Sequence, residues 1–190
     1  MSTELAPVEK KKSDHPPYQV HYLGDRVLRQ PAKRVNKVDA EVRQTIRQML
    51  QTMYSLDGIG LAAPQVGIHK QIIVVDTHPD DGATAPLIMI NPEIHGYSQD
   101  LSIMEEGCLS IPGVFLQVRR PQAIQVTFKD EYGRLHTIKD NDLLARVIQH
   151  ELDHLHGVMF VDRVENPLVM AQQLSQHGFS AKSVKPVSKS

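Results

Sequence analysis

The chain has 190 residues, and its 21 basic and 22 acidic side chains leave a net charge of −1. This length is enough for one domain with its own core, while the charge balance gives no polybasic surface for nucleic acid or an anionic membrane. No apolar run approaches the ~20 residues of a membrane span, and no signal peptide pattern opens the chain. A single cysteine, Cys108, excludes an internal disulfide, so we expect a soluble protein of a reducing compartment.

Residues 1–17 are polar, contain three consecutive lysines at 10–12 and show no hydrophobic periodicity. Such segments cannot bury enough apolar surface to fold, so we predict a disordered N-terminal tail over 1–17. A transit peptide would be rich in arginine and poor in acids, whereas this segment lacks arginine and has three acidic residues. The composition favours the cytoplasm of a bacterium over an organelle.

Apolar residues recur at helical spacing between 37 and 56, which predicts an amphipathic helix there. The segment GIGLAAPQ at 58–65 follows this helix. Its small residues mimic a dinucleotide-binding fingerprint, but that fingerprint must follow a strand and open a helix. Here the order is reversed, so we reject a dinucleotide site. The pattern indicates either a plain tight turn or a backbone that a substrate or another strand approaches closely.

The remaining elements are short strands and one long helix. Alternating or continuous apolar residues predict strands at 71–76, 86–91, 123–128, 135–138 and 158–164, with a hairpin turn at 130–134. A short helix is expected at 167–176, followed by a frayed end at 177–190. Because the strands cluster without regular βαβ alternation, the pattern predicts an α+β fold, mostly antiparallel strands packed around a central C-terminal helix.

That helix is predicted over 142–156, and it carries the pattern H-E-x-x-H at His150, Glu151 and His154. Histidines four residues apart lie on one helix face, so both imidazoles can reach one metal ion. All three residues fall within the apolar arc of the helix, where unpaired ionisable groups would be costly. We therefore predict a metal site. The opposite, solvent-facing side is expected to hold four polar residues: Arg146, Gln149, Asp153 and His156.

A catalytic metal site commonly has a third protein ligand and one open position. His156 and Glu165 are weak candidates, because the first faces away on the helix and the second lies in a probable loop. Cys108 offers a soft thiolate beside a turn, although on its own it is better explained as a small buried hydrophobe.

Three blocks occur in order: GIGLAAPQ at 58–65, EGCLS at 106–110 and QHELDH at 149–154. Together they resemble the signature motifs of the peptide deformylases, which remove the N-formyl group from nascent bacterial proteins. The IPGV that follows the second block resembles the bacterial and plant-organelle branch. The likeness covers 18–165, which we interpret as a metallohydrolase domain, and leaves 166–190 as a C-terminal extension.

The resemblance implies a role for individual residues. Cys108, His150 and His154 would hold a divalent metal, whose bound water attacks the formyl carbon. Glu151 would act as general base and then as general acid. The Gln65 amide and the Leu109 backbone N–H would stabilise the oxyanion.

The resemblance also implies how the substrate lies. Its backbone would pair alongside Gly60 as an added strand. The methionine side chain would enter an apolar slot beside the His150 ring, lined by Ile59, Met104, Leu143 and Val147. Arg146 would be at most a rim residue and is more simply explained as a surface charge. Many members have a substrate-contacting arginine after the cysteine block, where this chain has Phe115.

Ligand softness suits zinc, whereas the resemblance implies iron(II) as the native ion, with zinc or nickel as substitutes. The expected partners are N-formylmethionyl nascent peptides near the ribosome exit, and we expect a monomer. Two alternatives remain. An endopeptidase of the zincin type would need a histidine or glutamate as third ligand, and a structural zinc domain would need a fourth protein ligand.

Overall fold

The computed structural model describes residues 8–187 and has the predicted α+β architecture. The strands are β1 Gly60–Ala62, β2 Ile72–Val75, β3 Leu87–Tyr97, β4 Leu101–Cys108, β5 Ile111–Pro121, β6 Ala123–Lys129 and β7 Leu135–Asn141. An antiparallel sheet has the order β1-β2-β3-β6-β7, and β4 and β5 form a separate hairpin. The helices are α1 Ala40–Ser55, α2 Asp142–Leu155 and α3 Pro167–Gln176. Within residues 8–187, no helix is long and apolar enough to cross a membrane.

The sheet lies between α1 and α2, and β2 shows how the sequence produces this arrangement. All four of its residues are buried. Ile73 and Val75 face the core cluster that contains α2, while Ile72 and Val74 face the cluster that contains α1. Successive side chains of a strand point to opposite faces, so a strand without polar residues must be covered on both sides.

Helix α1 confirms the amphipathic helix predicted over 37–56. It begins after Asp39, whose side chain accepts a hydrogen bond from the Val42 backbone N–H, a contact that satisfies one of the free donors at a helix start. Its apolar face, including Ile46, Met49 and Met53, is buried against the sheet.

The β4–β5 hairpin is the main element that the sequence pattern did not predict. Its strands pair from Leu101 with Pro121 to Cys108 with Ile111, with a bulge after Glu106. The hairpin packs on a third core cluster together with α3. The strand predicted at 158–164 is wrong, because Phe160–Arg163 forms a 3-10 helix. The Asp162 side chain accepts from the Met159 N–H and so stabilises a tight turn.

Helix α2 is buried on nearly all sides, which corrects the prediction of a solvent-facing side. Arg146, Gln149 and Asp153 are all buried, and only His156 at the end of the helix is exposed as expected. The reason is the hairpin: the Arg146 guanidinium donates to the Val118 and Ser102 carbonyls, which belong to β5 and β4. A second covering element cannot be read from the periodicity of one helix.

Both ends of the described chain contact the body of the domain. Lys10 forms an ion pair with the buried Asp76, and Lys185 N–H donates to Asp162. Of the disordered tail predicted over 1–17, residues 8–17 include Lys10 and its ion pair, and residues 1–7 lie outside the described residues. Helix α3 confirms the helix predicted at 167–176. Of the frayed end expected at 177–190, residues 188–190 lie outside the described range.

Candidate active site

A cysteine and two histidines meet where β4 ends against α2. One ligand atom from each of Cys108, His150 and His154 lies within 4.8 Å of the other two. The Cys108 Sγ is 3.3 Å from the His154 Nε2. A thiolate and two imidazoles are the donor set of a divalent metal site that keeps one position open, so these residues fit such an ion. Burial lowers the pKa of His154 well below its usual value, which keeps this imidazole neutral, as a metal ligand must be.

Glu151 lies beside this cluster on the same helix and lines the same cavity. Its Oε2 is buried without a hydrogen-bond partner among residues 8–187. Burial is the main cause that raises the pKa of this carboxyl to about 7. A carboxyl with a free oxygen and a pKa near neutrality can both accept and donate a proton.

Gln65 is held in one orientation by its neighbours. Its Oε1 accepts from the Ala62 N–H at 2.8 Å, so the amide Nε2 faces the other way, 3.1 Å from the Ser110 Oγ and 3.4 Å from the Cys108 Sγ. Gln65 and Leu109 both line the cavity. A fixed amide donor next to the candidate metal ligands is suited to bind a developing negative charge. Sequence reasoning missed Ser110, although it belongs to the same EGCLS block as Cys108.

Gly60 is required by close packing as well as by its place on the cavity wall. A Cβ atom at this position would meet the Glu151 carboxylate and would lie 2.8 Å from the Val147 Cγ1. Strand β1 therefore approaches α2 more closely than any residue with a side chain would allow. This observation decides between the two interpretations of the GIGLAAPQ segment in favour of a close backbone approach.

The cavity has a volume of about 620 Å³. Its walls come from the segment before and within β1, from β4 and β5, and from α2. Four of the five predicted substrate-contacting residues line it: Ile59, Gly60, Leu143 and Val147. Met104 is not among its lining residues; it lies on β4 opposite Val118.

These positions coincide with a known sequence pattern. A family model described as polypeptide deformylase matches residues 17–168. The chain belongs to the polypeptide deformylase family. It therefore has the activity of a peptide deformylase and is a hydrolase.

Individual deformylases are similar along almost their whole length. The peptide deformylase of Thermosynechococcus vestitus is 63% identical over 98% of this chain and 99% of its own. Peptide deformylase 1 of a Nostoc species is 64% identical over 98% of this chain and 100% of its own. A crystal structure of a peptide deformylase from Synechococcus elongatus in complex with actinonin has a TM-score of 0.95 and 59% identity, covering 97% of this chain and 100% of that one.

A buried charge network lies behind the candidate metal ligands of this deformylase. The Glu106 Oε2 lies 2.9 Å from the His150 Nδ1. Arg120 donates to both Glu106 oxygens, and Arg146 donates to one of them. Burial alone raises the pKa of Glu106, but the hydrogen bonds from Arg120 and His150 bring it well below its usual range. Glu106 therefore remains a carboxylate that fixes the orientation of the His150 ring.

Sequence reasoning missed Glu106 and Arg120 as part of the site. Glu106 belongs to the same EGCLS block as Cys108, but the bulge after Glu106 breaks the strand alternation there, so spacing alone does not place the two side chains together. Asp153, which was expected on the solvent-facing side of the helix, accepts from Arg120 and Arg163 and extends the network away from the candidate metal ligands. No pattern in the sequence identifies Arg120 as the common partner of Glu106 and Asp153.

Phe115 occupies a position on the cavity wall, where its ring is 58% exposed. The ring lies against Gly107, where a Cβ would be 2.5 Å from its Cε1. Neither nearby arginine lines the cavity: Arg119 pairs with Glu165 and Arg120 is buried in the charge network. The β5 wall therefore presents the Phe115 ring to the cavity, and the arginine that lines the cavity is Arg146 of α2.

Proposed function

We propose that this deformylase removes the formyl group from N-terminal formylmethionine of nascent proteins and releases formate, with Cys108, His150 and His154 as ligands of one divalent metal ion. The observation that carries the proposal is the convergence of these three ligand atoms within 4.8 Å. Glu151 and Gln65 line the cavity in which they meet. These residues account for each requirement of formamide hydrolysis: an electrophile, a proton carrier and oxyanion donors.

When bound, the metal supplies Lewis acidity, which lowers the pKa of water to near neutrality and polarises a carbonyl oxygen. We propose iron(II) as the ion used in the cell, with zinc or nickel able to substitute, as the family resemblance implies. The Glu106 carboxylate would hold His150 with its Nε2 turned toward the ion, because a hydrogen bond at Nδ1 fixes the ring and the tautomer.

Glu151 would carry the proton of the reaction. Its free Oε2 would accept the proton of the attacking water and later deliver it to the departing methionine amine. Because Gly60 has no side chain, the carboxyl can lie directly against β1, beside the place where the substrate backbone would run.

The Gln65 Nε2 and the Leu109 backbone N–H would stabilise the oxygen of the formyl group as negative charge develops. The hydrogen bond from Ala62 fixes the Gln65 amide before substrate arrives, so little reorganisation is needed during the reaction. Removing one such donor typically costs about 100-fold or more in rate.

The substrate backbone would add a strand to the free edge of β1 at Gly60. The methionine side chain would then occupy the apolar part of the cavity formed by Ile59, Leu143 and Val147. We leave Met104 out of this slot because it does not line the cavity. The domain proper is proposed to span 18–165, with 166–190 as an extension.

We further propose that the protein acts as a monomer in the bacterial cytoplasm on chains emerging from the ribosome. The cyanobacterial origin of its relatives and the free Cys108 thiol support a reducing compartment.

A metal-loaded preparation of the protein tests the proposal with formyl-Met-Ala-Ser and acetyl-Met-Ala-Ser. We expect formate release from the first peptide and no acetate release from the second. In parallel, Cys108→Ser should abolish stoichiometric metal binding while the protein stays folded. A variant that retained its metal and cleaved internal peptide bonds would instead support the zincin-type endopeptidase.

A further inference from the structure

The N-terminal segment, residues 8–18, lies along the C-terminal half of α1. The Ser13 N–H donates to the Ser55 Oγ at 3.1 Å, and the Tyr18 N–H donates to the Thr52 Oγ1 at 3.2 Å. The Tyr18 hydroxyl donates to the Gln48 side chain at 2.8 Å. These bonds bring the segment to the end of α1, directly before residues 56–60 of the cavity wall.

Lys10 is the residue that anchors this segment. Its Nζ lies 2.7 Å from the Asp76 Oδ2 and donates to the backbone carbonyls of His78 and Asp81. The three ammonium protons thus have three acceptors. The Lys10 side chain is 12% exposed and that of Asp76 is 1% exposed, whereas the neighbouring Lys11 is 75% exposed. Of the lysines in this run, Lys10 alone neutralises a buried charge.

Asp76 in turn holds the last rung of the β1–β2 ladder. Its backbone N–H donates to the Ile59 carbonyl at 2.8 Å, next to the pair formed by Gly60 and Val75. Its side chain also accepts from the Tyr54 hydroxyl at 2.8 Å, which ties the rung to α1. Lys10 is therefore two contacts away from the backbone of Gly60.

The alternation of an antiparallel strand determines which groups of β1 remain free. Since Ile59 bonds toward β2, Gly60 and Ala62 turn their N–H and C=O groups to the open edge. The Ala62 N–H is already taken by the Gln65 side chain. Among the residues of β1, Gly60 is thus the one whose backbone groups are placed to pair with an incoming peptide.

We infer that Lys10 is a positioning residue for substrate binding: through Asp76 it fixes the Ile59 rung and thereby the edge at Gly60 to which the peptide adds. This inference rests on the proposed function. Without Lys10 the buried Asp76 carboxylate would lack its counter-charge and would move toward solvent, taking its backbone N–H with it. The backbone at Gly60 would then lose the support of the Asp76–Ile59 hydrogen bond and would be held only by the rest of β1.

Replacing Lys10 should weaken substrate binding and leave the rate of the chemical step unchanged. Pairing with Gly60 contributes equally to the bound substrate and to the transition state, so its loss raises KM and leaves kcat unchanged. For Lys10→Met, which keeps the aliphatic stem, we expect KM for formyl-Met-Ala-Ser to rise about fivefold, equivalent to roughly one backbone hydrogen bond. The matched control is Lys11→Met, for which both constants should equal those of the wild type.

A double-mutant cycle tests the route through Asp76. In an Asp76→Asn background no carboxylate remains to be stranded, so Lys10→Met should add less than about twofold to KM. An additive effect in the cycle, or an unchanged KM in Lys10→Met alone, would overturn the inference. A fall in kcat with KM unchanged would overturn it as well.

Hydrogen exchange of the metal-loaded proteins gives a readout that does not depend on activity. Lys10→Met should exchange faster at the Asp76 amide and in β1, with α2 unchanged. Faster exchange throughout the chain would mean that Lys10 only stabilises the fold and would also overturn the inference. A wild type that released no formate would contradict the proposed function, while the exchange data would still decide whether Lys10 holds this edge.

Discussion

At the scale of single residues, the site depends on one missing side chain and one buried charge. Gly60 leaves the space that the Glu151 carboxyl occupies, and Glu106 orients His150, one of the proposed metal ligands. Neither residue is itself a metal ligand or the proposed proton carrier. Both can be tested by substitutions that change few atoms.

Replacing Gly60 with alanine should displace the Glu151 carboxyl, because the added methyl group would meet Glu151 and Val147. A shift of about 1 Å at a reacting group can cost on the order of 100-fold in rate, so we expect a loss of that size in kcat/KM. The measurement is formate release at saturating metal. Gly96→Ala is the matched control, since its Cβ would make only an ordinary contact at 3.7 Å with Gln125 and activity should be preserved.

Replacing Glu106 with glutamine removes the negative charge that Arg120, Arg146 and His150 share. Metal affinity should fall about 10- to 100-fold, as it does when other residues that hydrogen-bond to a metal-ligating side chain are replaced. The stability should fall by about 3 kcal/mol, because the buried Arg146 guanidinium loses its counter-ion and Arg120 keeps only Asp153. Chelator competition and urea unfolding measure the two effects. Glu93→Gln, in an exposed ion pair with Arg34, should change neither; an equal loss there would argue against a specific role for Glu106.

At the scale of elements, helix α2 shows how far the sequence predicts the site. The spacing of its histidines and the Glu151 between them indicate a metal site, and the structure brings Cys108 to both histidines. The side of α2 that carries Arg146, Gln149 and Asp153 was predicted to be exposed, but the β4–β5 hairpin covers it. The periodicity of a helix carries no information about a second element that packs on it. The hairpin itself was missed because the EGCLS block interrupts the alternation with Gly107 and a bulge.

The turn between β6 and β7 was predicted correctly and provides a pH-dependent test. The Asp130 side chain accepts from the Tyr132 and Arg134 backbone N–H groups and from the Arg134 and His136 side chains. Burial alone raises its pKa, but these bonds, led by that from His136, lower it to about 2. A depressed pKa stabilises the folded state above the unfolded pKa of about 4 and loses this contribution as the pH falls from 4 toward 2.

We therefore expect Asp130→Asn to be about 1–2 kcal/mol less stable than the wild type near neutral pH. The difference should shrink progressively below pH 4, since protonation removes in the wild type what the substitution removes in the variant. Urea unfolding of both proteins from pH 6 to pH 3 measures it. Acid release of metal affects both proteins alike and cancels in the comparison, and a difference that stayed constant with pH would contradict the assignment.

At the scale of the whole molecule, the fold places the three signature blocks around one cavity. The sheet lies between two helices, the free edge of β1 faces the cavity, and the hairpin delivers Cys108 to α2. The α+β class followed from the order of strands and helices in the sequence. The ion pair of Lys10 with Asp76 could not be predicted from the sequence, because a contact between residues so far apart produces no periodic pattern in a polar segment.

The most direct test compares formate release by wild type and Glu151→Gln, both purified anaerobically with iron(II) and matched for metal content. We expect rapid release from formyl-Met-Ala-Ser by the wild type. The variant keeps the three proposed metal ligands but cannot carry the proton, so its rate should be at least about 100-fold slower. A metal-loaded Glu151→Gln protein as active as the wild type would contradict the assignment of Glu151, and an inactive, metal-loaded wild type would contradict the proposed function itself.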